Sequence, residues 1–254
     1  MSLLNSKVAA VTGGAGGIGS AICRRLAEAG ASVITTYNTN ANKAGELLNS
    51  LTGSNHSVFH APVNDSKALI ALAGFIEDKY GRLDILVNNA GITTPVAHDD
   101  LDSLSDEWID KIFATNFRGA FAMIRACKNL LTRSDDALII NISSIAGVSG
   151  IGSNVAYCAS KAAMDSMTRS LARALAPKIR VVSVSPGLVL GEYAKTFDPS
   201  FLQNQLEATP LNQLAKPEDV ADADTGSDHA DDGEAGTEKL GGLKFPGENP
   251  FVAE

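Results

Sequence analysis

Residues 8–19 read Val8-Ala9-Ala10-Val11-Thr12-Gly13-Gly14-Ala15-Gly16-Gly17-Ile18-Gly19, a short apolar run that empties into glycines. A strand covered on both faces needs continuous apolar residues of this kind. The glycines let backbone N–H groups and a helix N-terminus approach an anion such as a pyrophosphate. The spacing fits both Gly14-x-Gly16-x-x-Gly19 and Thr12-Gly13-x-x-x-Gly17-x-Gly19. Glycines here also serve close strand–helix packing, so the turn alone leaves both readings open. Ile18, Ile22 and Leu26 then recur at helical spacing, and Gly30 stops the helix.

Outward from this stretch, apolar runs at Val33–Thr36, Ser57–His60, Ile85–Val87, Ala137–Ile142 and Arg180–Val184 alternate with helical patterns up to about residue 187. Trp108, Ile112, Phe113, Phe117 and Ala120 share one broad helical face, and Ser105 with Asp106 and Glu107 caps its start. Repeated βαβ units with right-handed crossovers predict an α/β fold: a doubly wound parallel sheet of Rossmann type, in three α/β/α layers. A single catalytic domain is expected over residues 1–220. Within it, 188–215 forms a long connection with Leu188, Val189, Leu190, Tyr193, Phe197, Phe201 and Leu202, which reads as a substrate lid. Lys216 to Val220 looks like a helix start. From Ala221 to Lys239 there is no Val, Ile, Leu, Met or aromatic residue. Residues 221–254 are therefore expected to form an atypical acidic tail, disordered or loosely held.

The 254 residues are 44% hydrophobic and 20% charged, ordinary values for a globular chain. No stretch approaches the roughly 18 apolar residues of a membrane span. The N-terminus reaches its first strand too soon for a signal peptide, which predicts a cytoplasmic protein. Cys23, Cys127 and Cys158 form no CxxC pair and are expected as reduced thiols. His56, His60, His98 and His229 lack metal-ligand spacing, so no metal is expected. Of the net charge of −8, residues 221–254 carry −7, with two basic and nine acidic side chains. A nearly neutral body and an acidic tail argue against nucleic acid as a partner.

Three further features carry chemistry. Tyr157 and Lys161 stand at i and i+4, on one face of a helix. An ammonium beside a phenol stabilises the phenolate and lowers a pKa that is ordinarily about 10. Such a tyrosine can exchange a proton with a substrate oxygen. Ser143-Ser144 closes the strand Ala137–Ile142, at the strand end where ligands bind in open α/β sheets. Asn116 is a polar amide among Phe113, Phe117 and Phe121, either a satisfied core amide or a site group. Each alone has an ordinary explanation, as two surface residues, a turn serine or a core amide.

Together they resemble the short-chain dehydrogenase/reductase family over about residues 6–220, and within it the 3-oxoacyl-[acyl-carrier-protein] reductase-like members. The likeness rests on Thr12-Gly13-x-x-x-Gly17-Ile18-Gly19, Asn88-Asn89-Ala90-Gly91, Asn116, Ser144, Tyr157-x-x-x-Lys161 and Pro186-Gly187, in order and spacing. The resemblance implies an NAD(P)-dependent oxidoreductase that moves a hydride between nicotinamide and a carbonyl or secondary alcohol. In it Tyr157 is the general acid or base, Lys161 holds the nicotinamide ribose and lowers the Tyr157 pKa, and Ser144 binds the substrate oxygen. Asn116 positions a water in the proton relay. Gly13, Gly17, Ile18, Gly19, Asn38, Val63, Asn89, Ala90, Gly91, Pro186 and Gly187, with Tyr157 and Lys161, are the implied cofactor residues. Family members also form homo-oligomers, so a dimer or tetramer is expected.

Three positions depart from the family pattern. Thr36 to Asn40 holds no carboxylate to bind an adenine ribose and repel a 2′-phosphate, which favours NADP(H) over NAD(H). Gly14, Ala15 and Gly16, however, include no basic residue of the kind NADP-dependent relatives often carry. Pro62 stands where relatives have an Asp near the adenine, and only the Val63 backbone offers a substitute. The tail lacks the apolar helix and final strand of relatives, with Leu240-Gly241-Gly242-Leu243 as the one trace of that end. The competing function is a non-catalytic dinucleotide-binding relative, a sensor or scaffold. A sugar epimerase is a poorer fit, because no separate substrate domain follows Gly187.

Overall fold

The computed structural model describes residues 3–191, 194 and 197–226. Six parallel strands form one sheet: β1 (Val8–Val11), β2 (Ser32–Tyr37), β3 (Ser57–His60), β4 (Ile85–Asn88), β5 (Ala137–Ile142) and β6 (Ile179–Val184). Their order is β3-β2-β1-β4-β5-β6, so the direction of winding reverses between β1 and β4. β1 lies in register with both neighbours, Val11 opposite Thr35 and Val87. The doubly wound three-layer architecture expected from the sequence is present.

Strand alternation divides the core between the two faces. Val8, Ala10, Leu86, Ile139 and Val181 point to one side and meet Leu72 and Ile76 of α3 (Ser66–Tyr80), Met123 and Cys127 of α5 (Ala120–Leu131), and Met164 of α7 (Val155–Leu175). Ala9, Val11, Val33, Val87 and Ile140 point to the other and meet Ile22 and Leu26 of α1 (Gly17–Glu28) and Leu47 of α2 (Ala41–Ser50). Continuous apolar strands are thus read by helices on both sides. At the sheet's lower end Asp84 is buried, accepting from Val8 N at 2.8 Å and from Ser134 Oγ at 2.6 Å, with Lys7 and Arg82 beside it.

Three local expectations need correction. The helical stretch after Ser105 is not continuous: α4 (Asp106–Phe113) passes into a π-helical turn, Ala114–Gly119, before α5 begins. Ser105 does cap α4, accepting from Trp108 N. The connection after Gly187 is not a bare loop, because α8 (Pro199–Ala208) forms within it, capped by Asp198 with Pro199 in the first turn. Tyr193 of that connection lies outside the described residues. Third, α9 (Pro217–Gly226) runs beyond Val220. Ala221 is buried against the α1 side of the sheet, and Asp222 reaches Arg25 at 2.8 Å. A stripe of small residues suffices here because α1 approaches closely. The rest of the acidic tail, including Leu240 to Leu243, lies outside the described residues.

Candidate active site

The expected site residues gather at the carboxyl ends of the strands, on both sides of the β1–β4 switch point. The glycine turn divides its labour. Gly13 takes a positive φ of 62° and sits against Ala90, where a Cβ would be 3.1 Å from the Ala90 Cα. Gly14 and Gly19 are packing glycines. A Cβ on Gly14 would lie 2.1 Å from Thr35 Oγ1, and one on Gly19 would lie 2.6 Å from both Gly13 O and Asn89 Nδ2. Gly16 is different: only Gly13 O comes near, at 3.3 Å, and its other side is open. Both readings of the glycines are therefore present, at different positions.

A cleft of about 460 Å³ opens at Gly16, Gly17 and Ser20, with Lys43, Lys216, Leu190 and Gly191 around it. No side chain caps the N-terminus of α1. Its first N–H groups and the two lysines, with Glu218 beside them, line a mouth of the kind that favours an anion. The Ile18 side chain packs partly buried against the core, which leaves its backbone at the start of α1 facing the cleft side of the turn. Thr12 ties this turn to the end of β4: its Oγ1 accepts from Asn89 N at 3.0 Å and from Ala90 N at 3.1 Å. Asn89 Nδ2 donates back to Thr12 O and Gly13 O.

Further along the switch point, Gly91, Asn116, Tyr157 and Lys161 come together. Lys161 is 4% exposed, yet its Nζ donates only one bond among the described residues, to Ile142 O at 2.7 Å. Nζ lies 5.8 Å from the centre of the Tyr157 ring and 3.8 Å from where a Gly91 Cβ would be. Burial lowers the Lys161 pKa from 10.5 to about 8, and the charge of Asp165 pulls it partly back up. The π turn explains Asn116. It turns the amide onto the backbone of Ile92, accepting from Ile92 N at 2.8 Å and donating to Ile92 O at 3.0 Å and Ser160 Oγ at 3.1 Å. Asn116 is thus a clamp between the π turn, the segment after β4 and α7.

Ser144 is adjacent to Pro186-Gly187. Its Oγ donates to Pro186 O at 3.4 Å and accepts from Ala146 N at 3.2 Å. From Ser144 the chain forms α6 (Ala146–Ser149) and runs back along the first turns of α7. A Cβ on Gly152 would stand 3.4 Å from Tyr157 Cδ1. Asn38 and Val63 lie apart from this group, near the ends of β2 and β3. Asn38 O meets His60 Nε2 at 2.9 Å, and Val63 packs under Gly119 of the π turn.

Sequence reasoning passed over Asn154. It is buried, caps α7 by accepting from Tyr157 N at 2.7 Å, and ties that helix start to Thr94 O through Nδ2 at 2.6 Å. A small amide three residues before Tyr157 at a helix start was the available signal. Lys43 and Lys216 were likewise missed, because only the folded chain brings them to the glycine turn.

A switch-point crevice with a glycine turn, a half-buried Tyr157 and a buried Lys161 lies where open parallel α/β sheets bind their ligands. Residues 7–200 match the family described as short chain dehydrogenase. The chain belongs to that family and is an oxidoreductase. It is 33% identical over 218 residues to a Streptomyces violaceoruber protein assigned as ketoacyl reductase 2 of the granaticin polyketide synthase, covering 85% of this chain and 87% of that one. To the 3-oxoacyl-[acyl-carrier-protein] reductase FabG of Vibrio cholerae it is 33% identical, over 87% of this chain and 88% of the relative. Among solved structures, one assigned to the short-chain dehydrogenases/reductases from Burkholderia xenovorans superposes with a TM-score of 0.77 at 31% identity, covering 85% and 88% of the two chains.

Proposed function

We propose that this oxidoreductase reduces a carbonyl compound with a nicotinamide cofactor, NADP(H) in preference to NAD(H), using Tyr157 as the general acid. The observation that carries the reading is the buried Lys161 ammonium beside the Tyr157 ring, 3.8 Å from where a Gly91 Cβ would be at the switch point. The glycine turn, Asn89, Ala90, Gly91 and Pro186-Gly187 would hold the cofactor, which when bound supplies or takes up the hydride. Lys161 would bond the ribose and keep the Tyr157 phenol acidic enough to act. Tyr157 gives its hydroxyl proton to the substrate oxygen in reduction and takes it back in oxidation. Ser144 Oγ would bond the same oxygen. Asn116, with its amide engaged in the protein, contributes by fixing Ile92 and the π turn against α7, where a relay water would sit.

Preference for NADP(H) is supported by the lack of a carboxylate from Thr36 to Asn40 and by Lys43 at the mouth of the cradle. The names of the relatives and a cavity of about 530 Å³ under α8, lined by Leu190, Phe197, Leu202, Leu206 and Leu214, support a 3-oxoacyl thioester as substrate. The buried thiols Cys23, Cys127 and Cys158, none in a disulfide, support a cytoplasmic setting. The test is NADPH oxidation in the presence of a 3-oxoacyl thioester. Tyr157→Phe is expected to lower turnover by about a hundred- to ten-thousand-fold while NADPH binding, read by nucleotide fluorescence, stays within about threefold. Equal loss of both would mean that Tyr157 is not the proton donor.

A further inference from the structure

Helix α7 also buries a carboxylate, to which the proton transfer above gives no part. Asp165 follows Lys161 by one helical turn and is 8% exposed. Its Oδ2 borders α6 at Gly147, where a Cβ would lie 3.0 Å from that oxygen and 2.8 Å from the Lys161 carbonyl carbon. Its Oδ1 has no hydrogen-bond partner among the described residues. A carboxylate buried with so few donors is unfavourable unless a nearby cation offsets it. Lys161, at i−4 on the same helix and equally buried, is that cation.

The surroundings offer no substitute. α7 packs chiefly against α4, α6, the π turn and β6. α6 has no titratable side chain. Asp106, Glu107, Asp110 and Lys111 on α4 and Arg118 on the π turn are exposed, and Arg180 on β6 pairs with Asp136. On α7 itself, Arg169 and Arg173 are exposed, and Cys158 lies against Gly152.

We propose that Asp165 is a positioning residue, a buried counter-charge that sets the electrostatics of the Tyr157–Lys161 pair from the helix turn behind it. Removing its charge makes the Lys161 ammonium less favourable, weakens the pull on the phenolate, and so makes Tyr157 a weaker acid. A residue that merely filled space would leave that acidity unchanged. The inference rests on reading Tyr157 and Lys161 as the proton-transfer pair, and the experiment separates the two.

Phenolate absorbance is followed in the ultraviolet against pH, and subtraction of the Tyr157→Phe titration isolates Tyr157 from Tyr37, Tyr80 and Tyr193. Asp165→Asn is expected to move the Tyr157 step up by about one pH unit, and Asp165→Glu to leave it nearly in place. In a Lys161→Met background Asp165→Asn should shift nothing further, because its route is gone. A Tyr157 step that stays put in Asp165→Asn overturns the proposal. If the wild-type protein shows no Tyr157 step below the ordinary tyrosine range, the proton-transfer pair itself is wrong, and Asp165 falls with it. Should Asp165→Asn alone not fold, the double variant with Lys161→Met decides. Recovery of the native circular dichroism supports a charge pair, and no recovery overturns it.

Discussion

Lys161→Met should make the protein more stable relative to wild type at neutral pH than at alkaline pH, and the size of that change follows from burial of the ammonium. Lys161 has a pKa near 10.5 in the unfolded chain and about 8 in the fold. Below pH 8 both states are protonated, and the folded state holds the charge against its desolvation. Between the two values the unfolded lysine binds a proton that the folded one has released, so wild-type stability from this group rises with pH. Above 10.5 the penalty is gone. At 1.36 kcal/mol per pKa unit the total is roughly 3 kcal/mol. Methionine also loses the bond to Ile142 O and leaves Asp165 without its cation, losses nearly constant over this range, and Tyr157→Phe in both proteins keeps the phenol from adding a pH dependence of its own. The assay is urea unfolding of both proteins at one concentration, from neutral pH to about pH 10.5. The stability of Lys161→Met minus that of wild type should fall by about 3 kcal/mol across the series. A constant difference would mean that Lys161 titrates like a surface lysine, and the electrostatic argument for the site would fail.

Other outcomes can be checked alongside. Asp84→Ala leaves Arg82, Lys7 and the Val8 amide without their shared acceptor and should cost about 3–5 kcal/mol in denaturant unfolding; a loss under about 1 kcal/mol would show that the cluster is solvated. Gly14→Ala drives a Cβ onto Thr35 Oγ1 and should lower the melting temperature and weaken NADPH binding together. Thr35→Ala in the same molecule should recover a good part of both, and purely additive effects would contradict the contact. Cys127, buried and with its thiol pushed up to about 12, should not react with a disulfide reagent in the native state at pH 8 and should react at once on unfolding.

The strands and the glycine turn were legible because local rules and the tertiary fold agree there: Val8–Val11 must be apolar on both sides, and six such runs were found where six strands stand. Ser105 was legible for the same reason, as a cap needs only its own helix. The π turn was not. It places Asn116 against Ile92 across the chain, a contact that no helical periodicity encodes, and Trp108 to Ala120 read as one smooth face. α8 was hidden because none of its side chains is buried, so it has no core-facing stripe, although Pro199 in its first turn is well placed to start a helix. Ala221 looked unable to hold a helix because small residues carry no apolar weight in a sequence, whereas α1 turns them into a close contact. At the site, Tyr157, Lys161, Asn116 and the glycines were individually visible. Their convergence, and the orphaned oxygen of Asp165, depend on α6 and α7 folding back on one another.

The π turn also says something about chain length. A π turn bonds five residues back where an α turn bonds four, so α4 and α5 together hold a residue that a straight helix would not need. Deleting one position there would let the segment relax into unbroken α-helix, with both flanking helices intact and the phase between them nearly kept. The scaffold would survive such an edit, while Asn116 would swing away from Ile92 and the clamp would come undone. The surplus residue therefore belongs to the Asn116 clamp, in a stretch where a straight helix would have been content with one fewer.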